Sequence, residues 1–300
     1  MKLSCTLGGH GTLCEQIERV RRCGFDACSF PMESVFGKSG VLGHIEQVTD
    51  EQILNFFAPL RSLGDRIGLS FDQTFSVGGG ECSDEDWEDM RRREIAVIKA
   101  TKILGAKHVI MRPIIERGRI YEKLAEENFE RAVRFWESLA PALAENGVYG
   151  CIENVYTTDG TYKFCAPTIC STPKELVAMC DRLGDRYAIC LDVGNAVLGR
   201  EDPAYMAHVC AHRLRVVNLH DNDGFDDLHA FPFSRHRPHT GTPPRIDWPK
   251  LIRALRDVEY AGNLNLDVAV PGPLAICDAG YEYLAELGAY LLTLHENTPF

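Results

Sequence analysis

The feature that most constrains the fold of this chain is a regular alternation of short apolar runs with longer segments of helical periodicity. Eight such runs occur, and a helix-like segment follows each of them. They are Lys2–Thr6, Phe25–Phe30, Ile67–Phe71, His108–Met111, Val148–Glu153, Tyr187–Asp192, Leu214–His220 and Asn263–Val268. Parallel strands joined by helices are covered on both faces, so they are apolar almost throughout. The pattern therefore predicts eight parallel strands with helical crossovers.

The number of these units favours a closed barrel over an open α/β sheet. No glycine-rich phosphate fingerprint follows the first run, as would be typical of a nucleotide-binding open sheet. The 300 residues suit one barrel, and no linker rich in Gly, Ser or Pro divides them. We therefore predict an α/β protein, a (β/α)8 TIM barrel, whose single domain covers residues 1–300.

The segments between the runs carry helix signals of their own. From Phe129 to Leu143 apolar side chains recur every three or four residues, which places them on one helix face. Pro141 falls inside this segment and predicts a kink. Thr49 and Gln52 have the spacing of a capping box, which predicts the start of another helix.

Composition and charge narrow the classes of partner. The chain is 45% hydrophobic and 25% charged, as is usual for a globular protein, and its formal net charge is −11. That charge argues against nucleic acid as a partner. No stretch approaches the roughly 20 apolar residues of a membrane span, and the N-terminus lacks the apolar region of a signal peptide. We expect a cytoplasmic protein with a small-molecule partner, and a homo-oligomer is left open.

Twelve cysteines raise the question of disulfides or a thiolate metal site. No Cys-x-x-Cys pair is present, and several cysteines, such as Cys151 and Cys190, lie inside apolar runs. Buried free thiols behave as small hydrophobic side chains. We therefore expect reduced, structural cysteines in a reducing compartment.

Polar side chains follow or end the last four apolar runs. Glu153 ends the fifth, Asp192 ends the sixth, Asn218 and His220 lie in the seventh, and Asp267 lies in the eighth. Active sites of TIM barrels lie at the C-terminal ends of the strands. Three carboxylates that converge there repel one another, and a divalent cation removes that repulsion. Mixed oxygen and imidazole ligands suit Mn²⁺, Mg²⁺, Co²⁺ or Zn²⁺.

Short motifs spread over nearly the whole chain resemble those of the xylose isomerase-like TIM barrel family, in its sugar phosphate isomerase/epimerase branch. They are Gly24-Phe25-Asp26, Gly105-Ala106-Lys107-His108, Ile152-Glu153-Asn154, Leu191-Asp192-Val193-Gly194, His220-Asp221-Asn222-Asp223-Gly224, Ile246-Asp247-Trp248 and Tyr260-Ala261-Gly262. Relatives in that group include ketose 3-epimerases, hydroxypyruvate isomerase and inosose dehydratase, and more distantly endonuclease IV.

The resemblance implies an octahedral metal held by Glu, Asp, His and Glu from the fifth to the eighth strand. Glu153 and Asp192 match the first two ligands. The third position falls on Asn218, and His220 lies two residues further on the same strand face as a replacement. The fourth falls on Asp267, one methylene shorter than Glu. The resemblance also implies that Glu153 and Asp267 act as the acid/base pair.

Four more residues are predicted to contact the substrate. Asn195 stands where the family has a histidine. Arg112 ends the fourth strand, where it meets a carboxylate or phosphate or forms a salt bridge to Glu153 or another acid. His229 belongs to Asp227-Leu228-His229, which is similar to a zinc-binding pair of endonuclease IV, and His10 lies in the glycine-rich first loop. A basic segment, Ser234–His239, is predicted to cover the pocket or remain solvated.

The leading hypothesis is an isomerase or epimerase of carbohydrate metabolism that uses a divalent metal, Mn²⁺ before Mg²⁺, Co²⁺ or Zn²⁺, on a small sugar or polyol. Glu153 and Asp267 transfer the protons in this hypothesis. A lyase or dehydratase could use the same site. The departures at Asn195, Asn218 and Asp267 motivate another alternative, a non-catalytic barrel that binds a sugar or serves as a partner subunit.

Overall fold

A computed structural model describes residues 1–78, 80–115, 121–158, 165–234 and 246–297. Within these ranges, eight parallel strands pair in chain order and close into a barrel, which confirms the predicted TIM barrel. The barrel strands are β1 (Leu3–Thr6), β2 (Ala27–Pro31), β3 (Ser70–Phe75), β4 (His108–Met111), β5 (Tyr149–Glu153), β6 (Tyr187–Asp192), β7 (Leu214–Leu219) and β8 (Leu264–Leu266). The last strand pairs with the first, so the barrel has no free edge.

Helices surround the barrel and fill the connections between its strands. They are α1 (Leu13–Arg22), α2 (Glu33–Phe36), α3 (Asp50–Ile67), α4 (Trp87–Leu104), α5 (Tyr121–Glu137), α6 (Ala140–Asn146), α7 (Pro173–Leu183), α8 (Val193–Leu198), α9 (Pro203–Cys210), α10 (Trp248–Asp257), α11 (Gly272–Ala275) and α12 (Ala279–Asn297). Among the described residues, two short strand pairs lie outside the barrel. Gly80–Glu81 runs parallel to Ile114–Ile115, and Tyr156–Thr158 runs antiparallel to Cys165–Pro167.

The helix signals in the sequence are confirmed where the structure describes them. Thr49 caps α3, and its hydroxyl and the side chain of Gln52 bond each other's backbone N–H. The predicted kink is a break, because α5 ends before α6 begins, and Pro141 lies in the first turn of α6. Proline is tolerated there because the first backbone N–H groups of a helix have no partner within it.

The strand predictions are accurate to within about a residue at most ends, and β3 is the exception. The apolar run Ile67–Phe71 predicted this strand, but it spans Ser70–Phe75. Helix α3 continues to Ile67 and ends at Gly68, whose left-handed backbone (φ 74°) suits a residue without Cβ. The apolar character of Ile67 therefore serves the end of the helix and not the strand.

Side chains of the barrel strands alternate between the interior and the surrounding helices, and the interior changes character along its axis. A small apolar cluster, separate from the main core between barrel and helices, fills its middle. Its buried members are Ile110, Cys151, Ala188, Cys190 and Val216. Two residues further along β5, β6 and β7, the same face carries Glu153, Asp192 and Asn218. Polar groups are thus gathered at the C-terminal end of the barrel.

All twelve cysteines lie in the parts of the chain that the structure describes, and none forms a disulfide there. Ten are buried, and Cys14 and Cys277 are exposed. Burial raises the pKa of interior thiols such as Cys190, which keeps them protonated and unreactive. Over the described residues, no helix combines the length and the apolar character needed to cross a bilayer.

Candidate active site

A cavity of about 420 Å³ opens over the C-terminal ends of the barrel strands. This volume lies in the range of about 300–1,000 Å³ that small-molecule sites occupy. Among the described residues its wall contains Thr6, Pro31, Glu33, Phe75, Ser76, Val77, Gly78, Ile110, Arg112, His229 and Asp267. Three residues predicted from sequence, Arg112, His229 and Asp267, therefore face one space.

Asp192 and His220 form a buried pair at the ends of β6 and β7. The Nε2 atom of His220 lies 2.9 Å from Oδ1 of Asp192, which also accepts a hydrogen bond from the backbone N–H of Asn195. Burial disfavours the charged form of each group. The opposite charge of its partner outweighs that cost, so the pKa of Asp192 is lowered and the pKa of His220 is raised.

His229, from the loop after β7, stacks on His220 with ring centroids 3.9 Å apart and an angle of 8° between the planes. Its Nε2 lies 3.4 Å from Asp227, and its Nδ1 lies 3.5 Å from the Asp267 carboxylate and 2.7 Å from the Asp267 carbonyl oxygen. Burial disfavours the cation, but the hydrogen bond to Asp227 and the charges of Asp267 and Asp192 raise the pKa of His229 to about 10.

The donor atoms at this end of the barrel fit a divalent cation. Potential ligand atoms of His220, Asp227 and His229 all lie within 4.8 Å of one another. Nδ1 of His220 is buried and has no hydrogen-bond partner among the described residues. A buried polar atom without a partner is costly unless something else binds it. Imidazole and carboxylate together suit Mn²⁺, Co²⁺ or Zn²⁺.

Gly194 shows how tightly the His220 ring is enclosed. A Cβ atom at residue 194 would lie 1.9 Å from Cε1 of His220. Only glycine leaves room for the His220 ring at this position, which explains the glycine two residues after Asp192.

Glu153 is completely buried at the end of β5, and N–H donors engage both of its carboxylate oxygens. Nε of Arg112 donates to Oε2 at 2.9 Å, and Nδ2 of Asn218 donates to Oε1 at 3.2 Å. Burial raises the pKa of Glu153 despite the nearby guanidinium, and its negative charge raises the pKa of Arg112. Of the two partners, Arg112 reaches the cavity, with 51% of its side chain exposed.

Asn218 is held in place by a network of amides inside the barrel. Its Oδ1 accepts hydrogen bonds from Gln73 (2.7 Å) and from Asn265 (2.9 Å). Oδ1 of Asn265 in turn accepts from the hydroxyls of Ser4 and Ser29. The oxygen by which Asn218 was predicted to bind a metal is therefore shared by two donors already.

The remaining predicted site residues lie apart from the cavity. Asn195, in α8, is buried, and its Nδ2 donates to the carbonyl oxygen of Asn154 at 3.1 Å. His10 is exposed in the loop after β1, where its carbonyl oxygen accepts a bond from Arg19. Neither side chain belongs to the described wall of the cavity. Of the basic segment Ser234–His239, residues 235–239 lie outside the described residues.

Several residues that the structure brings to the site were not predicted from the sequence. Gln73 and Asn265 lie inside the barrel, and Glu33 contributes to the cavity wall. Asn265 could have been found, because it precedes Asp267 by two residues and so shares its face of the strand. Glu33 follows β2 in a short helix, and no spacing in the sequence marks it.

The chain matches a known protein family over most of its length. Residues 17–293 match the family described as xylose isomerase-like TIM barrel. A search of curated proteins returned no significant match.

Solved structures share the fold over almost the whole chain. A D-tagatose 3-epimerase-like protein superposes with a TM-score of 0.74 at 15% identity, covering 99% of this chain and 98% of the other. A D-psicose 3-epimerase crystallised with D-fructose gives 0.70 at 15%, covering 99% and 100%. A D-psicose 3-epimerase from Clostridium cellulolyticum H10 gives 0.65 at 17%, covering 99% and 98%.

Proposed function

The chain belongs to the xylose isomerase-like TIM barrel family, and from that premise we propose that it is a metal-dependent isomerase or epimerase of a small sugar or polyol. The observation that carries the proposal is the cluster of Glu153, Asp192, His220 and Asp267 at one end of the barrel. Asp192 contacts His220 at 2.9 Å, and His229 links His220 to Asp267. Two solved proteins with the same fold are named as a D-tagatose 3-epimerase-like protein and a D-psicose 3-epimerase, which supports a sugar as substrate.

Asp192, His220 and Asp267 would hold the cation, with Glu153 beside them. Asp227 and His229, whose ligand atoms lie within 4.8 Å of that of His220, would be additional ligands. A bound divalent cation supplies positive charge that polarises a carbonyl and the hydroxyl next to it. Mn²⁺ is the preferred candidate because carboxylates outnumber imidazoles among these groups, and carboxylate oxygens suit Mn²⁺.

Glu153 and Asp267 are the proposed acid and base. One carboxylate removes the proton from the carbon next to the carbonyl, and the electron pair of that C–H bond passes to the carbonyl oxygen. The other group, present as the carboxylic acid, gives its proton to the opposite face of the same carbon as the electron pair returns from the oxygen, which inverts the configuration. His229, 3.5 Å from Asp267, holds that carboxylate in place.

Metal binding is tested first, by thermal melting with Mn²⁺, Co²⁺, Mg²⁺ and Zn²⁺ on the wild type, Asp192→Asn and Glu153→Gln. A ligand that binds only the folded protein adds about 2.7 kcal/mol of stability at a hundredfold excess over its Kd. We expect a shift that is lost in Asp192→Asn and in Glu153→Gln. It should be retained in Glu145→Gln, the matched control for Glu153→Gln, since Glu145 is exposed on α6. No shift with any of these metals would contradict the metal-dependent reaction.

Proton transfer is tested separately, by NMR in D2O with the metal-loaded protein and D-tagatose, D-fructose, D-allulose and L-ribulose. Removal of a carbon-bound proton incorporates deuterium next to the carbonyl even where the net conversion is small. We expect incorporation with at least one sugar and none with Glu153→Gln. Loss of water in place of exchange would identify the lyase or dehydratase alternative.

One observation favours the non-catalytic alternative. Both oxygens of Glu153 are bonded, to Arg112 and to Asn218, and the carboxylate is not exposed. A barrel that only binds a sugar would show a metal- or sugar-induced stabilisation without any deuterium incorporation. The two experiments together therefore separate catalysis from binding.

A further inference from the structure

Arg112 contacts both the cavity and the carboxylate behind it. Half of its side chain is exposed (51%), and it forms part of the cavity wall. Its Nε donates to Glu153, which is fully buried and does not contribute to that wall. A substrate in the cavity therefore meets Arg112 before it can reach Glu153.

The proposed chemistry requires that this arrangement change. Glu153 cannot accept a proton from a substrate while Arg112 and Asn218 donate to its oxygens and the cavity does not reach it. Asn218 is fixed by Gln73 and Asn265, whereas Arg112 stands at the cavity surface. Arg112 is therefore the partner that can move.

We propose that Arg112 binds an anionic substituent of the substrate, a carboxylate or a phosphate, and leaves Glu153 to do so. The inference rests on the proposed function in that Glu153 is the group to be released. If a neutral sugar separated this pair, both the buried carboxylate and the guanidinium would be left without a counter-charge, which is strongly unfavourable. An anionic substituent gives the guanidinium a new counter-charge and so offsets part of that cost. An anionic sugar replaces one pair by another, and a guanidinium matches carboxylate and phosphate oxygens equally well.

The rest of the cavity wall is compatible with such a ligand. His229 contributes its imidazole to the same wall, and Glu33 and Asp267 are the acids described there. In the proposed function the cation would offset the charge of Asp267, so Glu33 is the one described acid of this wall that would oppose an anionic substituent beside Arg112.

The test is isothermal titration calorimetry, which measures the Kd of the whole chain for two matched pairs of ligands. Gluconate and glucitol differ by a carboxylate, and fructose 6-phosphate and fructose differ by a phosphate. We expect one anion to bind about 10- to 100-fold more tightly than its neutral partner, as hydrogen bonds to charged groups predict. The pair that shows the difference identifies the anionic group as carboxylate or phosphate.

Variants distinguish Arg112 from a general effect of charge. Arg112→Gln should lose the preference for the anion. Arg182→Gln should retain it, because Arg182 is equally exposed (54%) and also pairs with a glutamate, Glu137, but on the outside of the barrel. If Arg112→Gln fails to fold around an unpaired Glu153, the double variant with Glu153→Gln removes both charges and should fold without the preference.

Glu153→Gln alone gives the sharpest result. If Glu153 competes with the ligand for Arg112, its neutralisation should tighten binding of the anion several-fold and leave the neutral sugar unchanged. Equal affinity for anion and neutral partner in the wild type, or a preference that survives in Arg112→Gln, would overturn the proposal. Tighter binding of the anion without deuterium exchange on any sugar would support the anion site and contradict the proposed isomerase. Deuterium exchange on neutral sugars without a preference for the anion would support the isomerase and reject the anion site.

Discussion

Asn218 stands where the interior amide network of the barrel meets the candidate site. Its Oδ1 accepts from Gln73 and Asn265, and its Nδ2 donates to Glu153. An ionised carboxylate can only accept hydrogen bonds, so Glu153 determines which end of the Asn218 amide faces it. The Asn218 oxygen therefore faces Gln73 and Asn265, and each of these two side chains donates a hydrogen bond to it from its amide nitrogen. A single side chain thus connects the acid to the structural core.

Replacement of Asn218 by Ala should be strongly destabilising. The change leaves Glu153 Oε1, the amide nitrogen of Gln73 and that of Asn265 without this partner inside the barrel. Each buried group that loses its partner costs about 1–3 kcal/mol, so we expect the free energy of unfolding to fall by on the order of 3 kcal/mol. Chemical denaturation measures this loss.

Asn146→Ala is the matched control for this prediction. The Asn146 amide donates one hydrogen bond, to the carbonyl oxygen of Ala142, in a partly buried position at the end of α6. Its replacement should cost about 1 kcal/mol or less. Similar losses in the two variants would show that the interior network does not stabilise the barrel more than a local surface bond does.

At the scale of secondary structure, α4 supports the cavity wall through one buried acid. Glu94 on α4 is 2% exposed and accepts a hydrogen bond from the backbone N–H of Gly78, in the wall segment after β3. Its Oε2 has no partner among the described residues. Burial raises the pKa of Glu94 to about 8, although the bond from Gly78 acts in the opposite direction.

This shift predicts that stability falls as pH rises from about 5 to 8. The folded protein keeps the proton of Glu94 up to about pH 8, whereas the unfolded chain loses it near its ordinary value of 4.5. The stabilisation is complete below the unfolded pKa and is lost as pH rises through the folded one, by at most about 1.4 kcal/mol per pH unit. Denaturation at several pH values measures it, and in Glu94→Gln the slope should be shallower. An unchanged slope would contradict the shift.

At the scale of the whole molecule, the sequence predicted the barrel far better than the site. Eight apolar runs suffice for the barrel, because strands such as β4 and β6 are covered on both faces and must be apolar. The site depends on which side chain each polar group meets. Pairing of Arg112 with Glu153 was one of two alternatives from the sequence, but nothing in the spacing reveals that Asn218 occupies the other oxygen of Glu153. His229 faces the same cavity as Asp267 because of the path of the loop that carries it. A loop has no periodic sequence pattern from which that path could be predicted.

The proposed metal ligands all lie at or after the C-terminal ends of β5 to β8, the second half of the barrel. Metal binding should therefore change hydrogen exchange more in this half than in the first. A bound cation suppresses local openings that separate its ligands, so protection should rise mainly where they are anchored. We expect Mn²⁺ to slow exchange around Tyr187–Asp192, Leu214–Leu219 and Leu264–Leu266 and to leave β2 and β3 almost unchanged. Mass spectrometry with and without Mn²⁺ measures this, and Asp192→Asn should abolish the difference. Equal protection of both halves would contradict the assignment of ligands, because it would mean that the metal stabilises the barrel without binding at the ends of these strands.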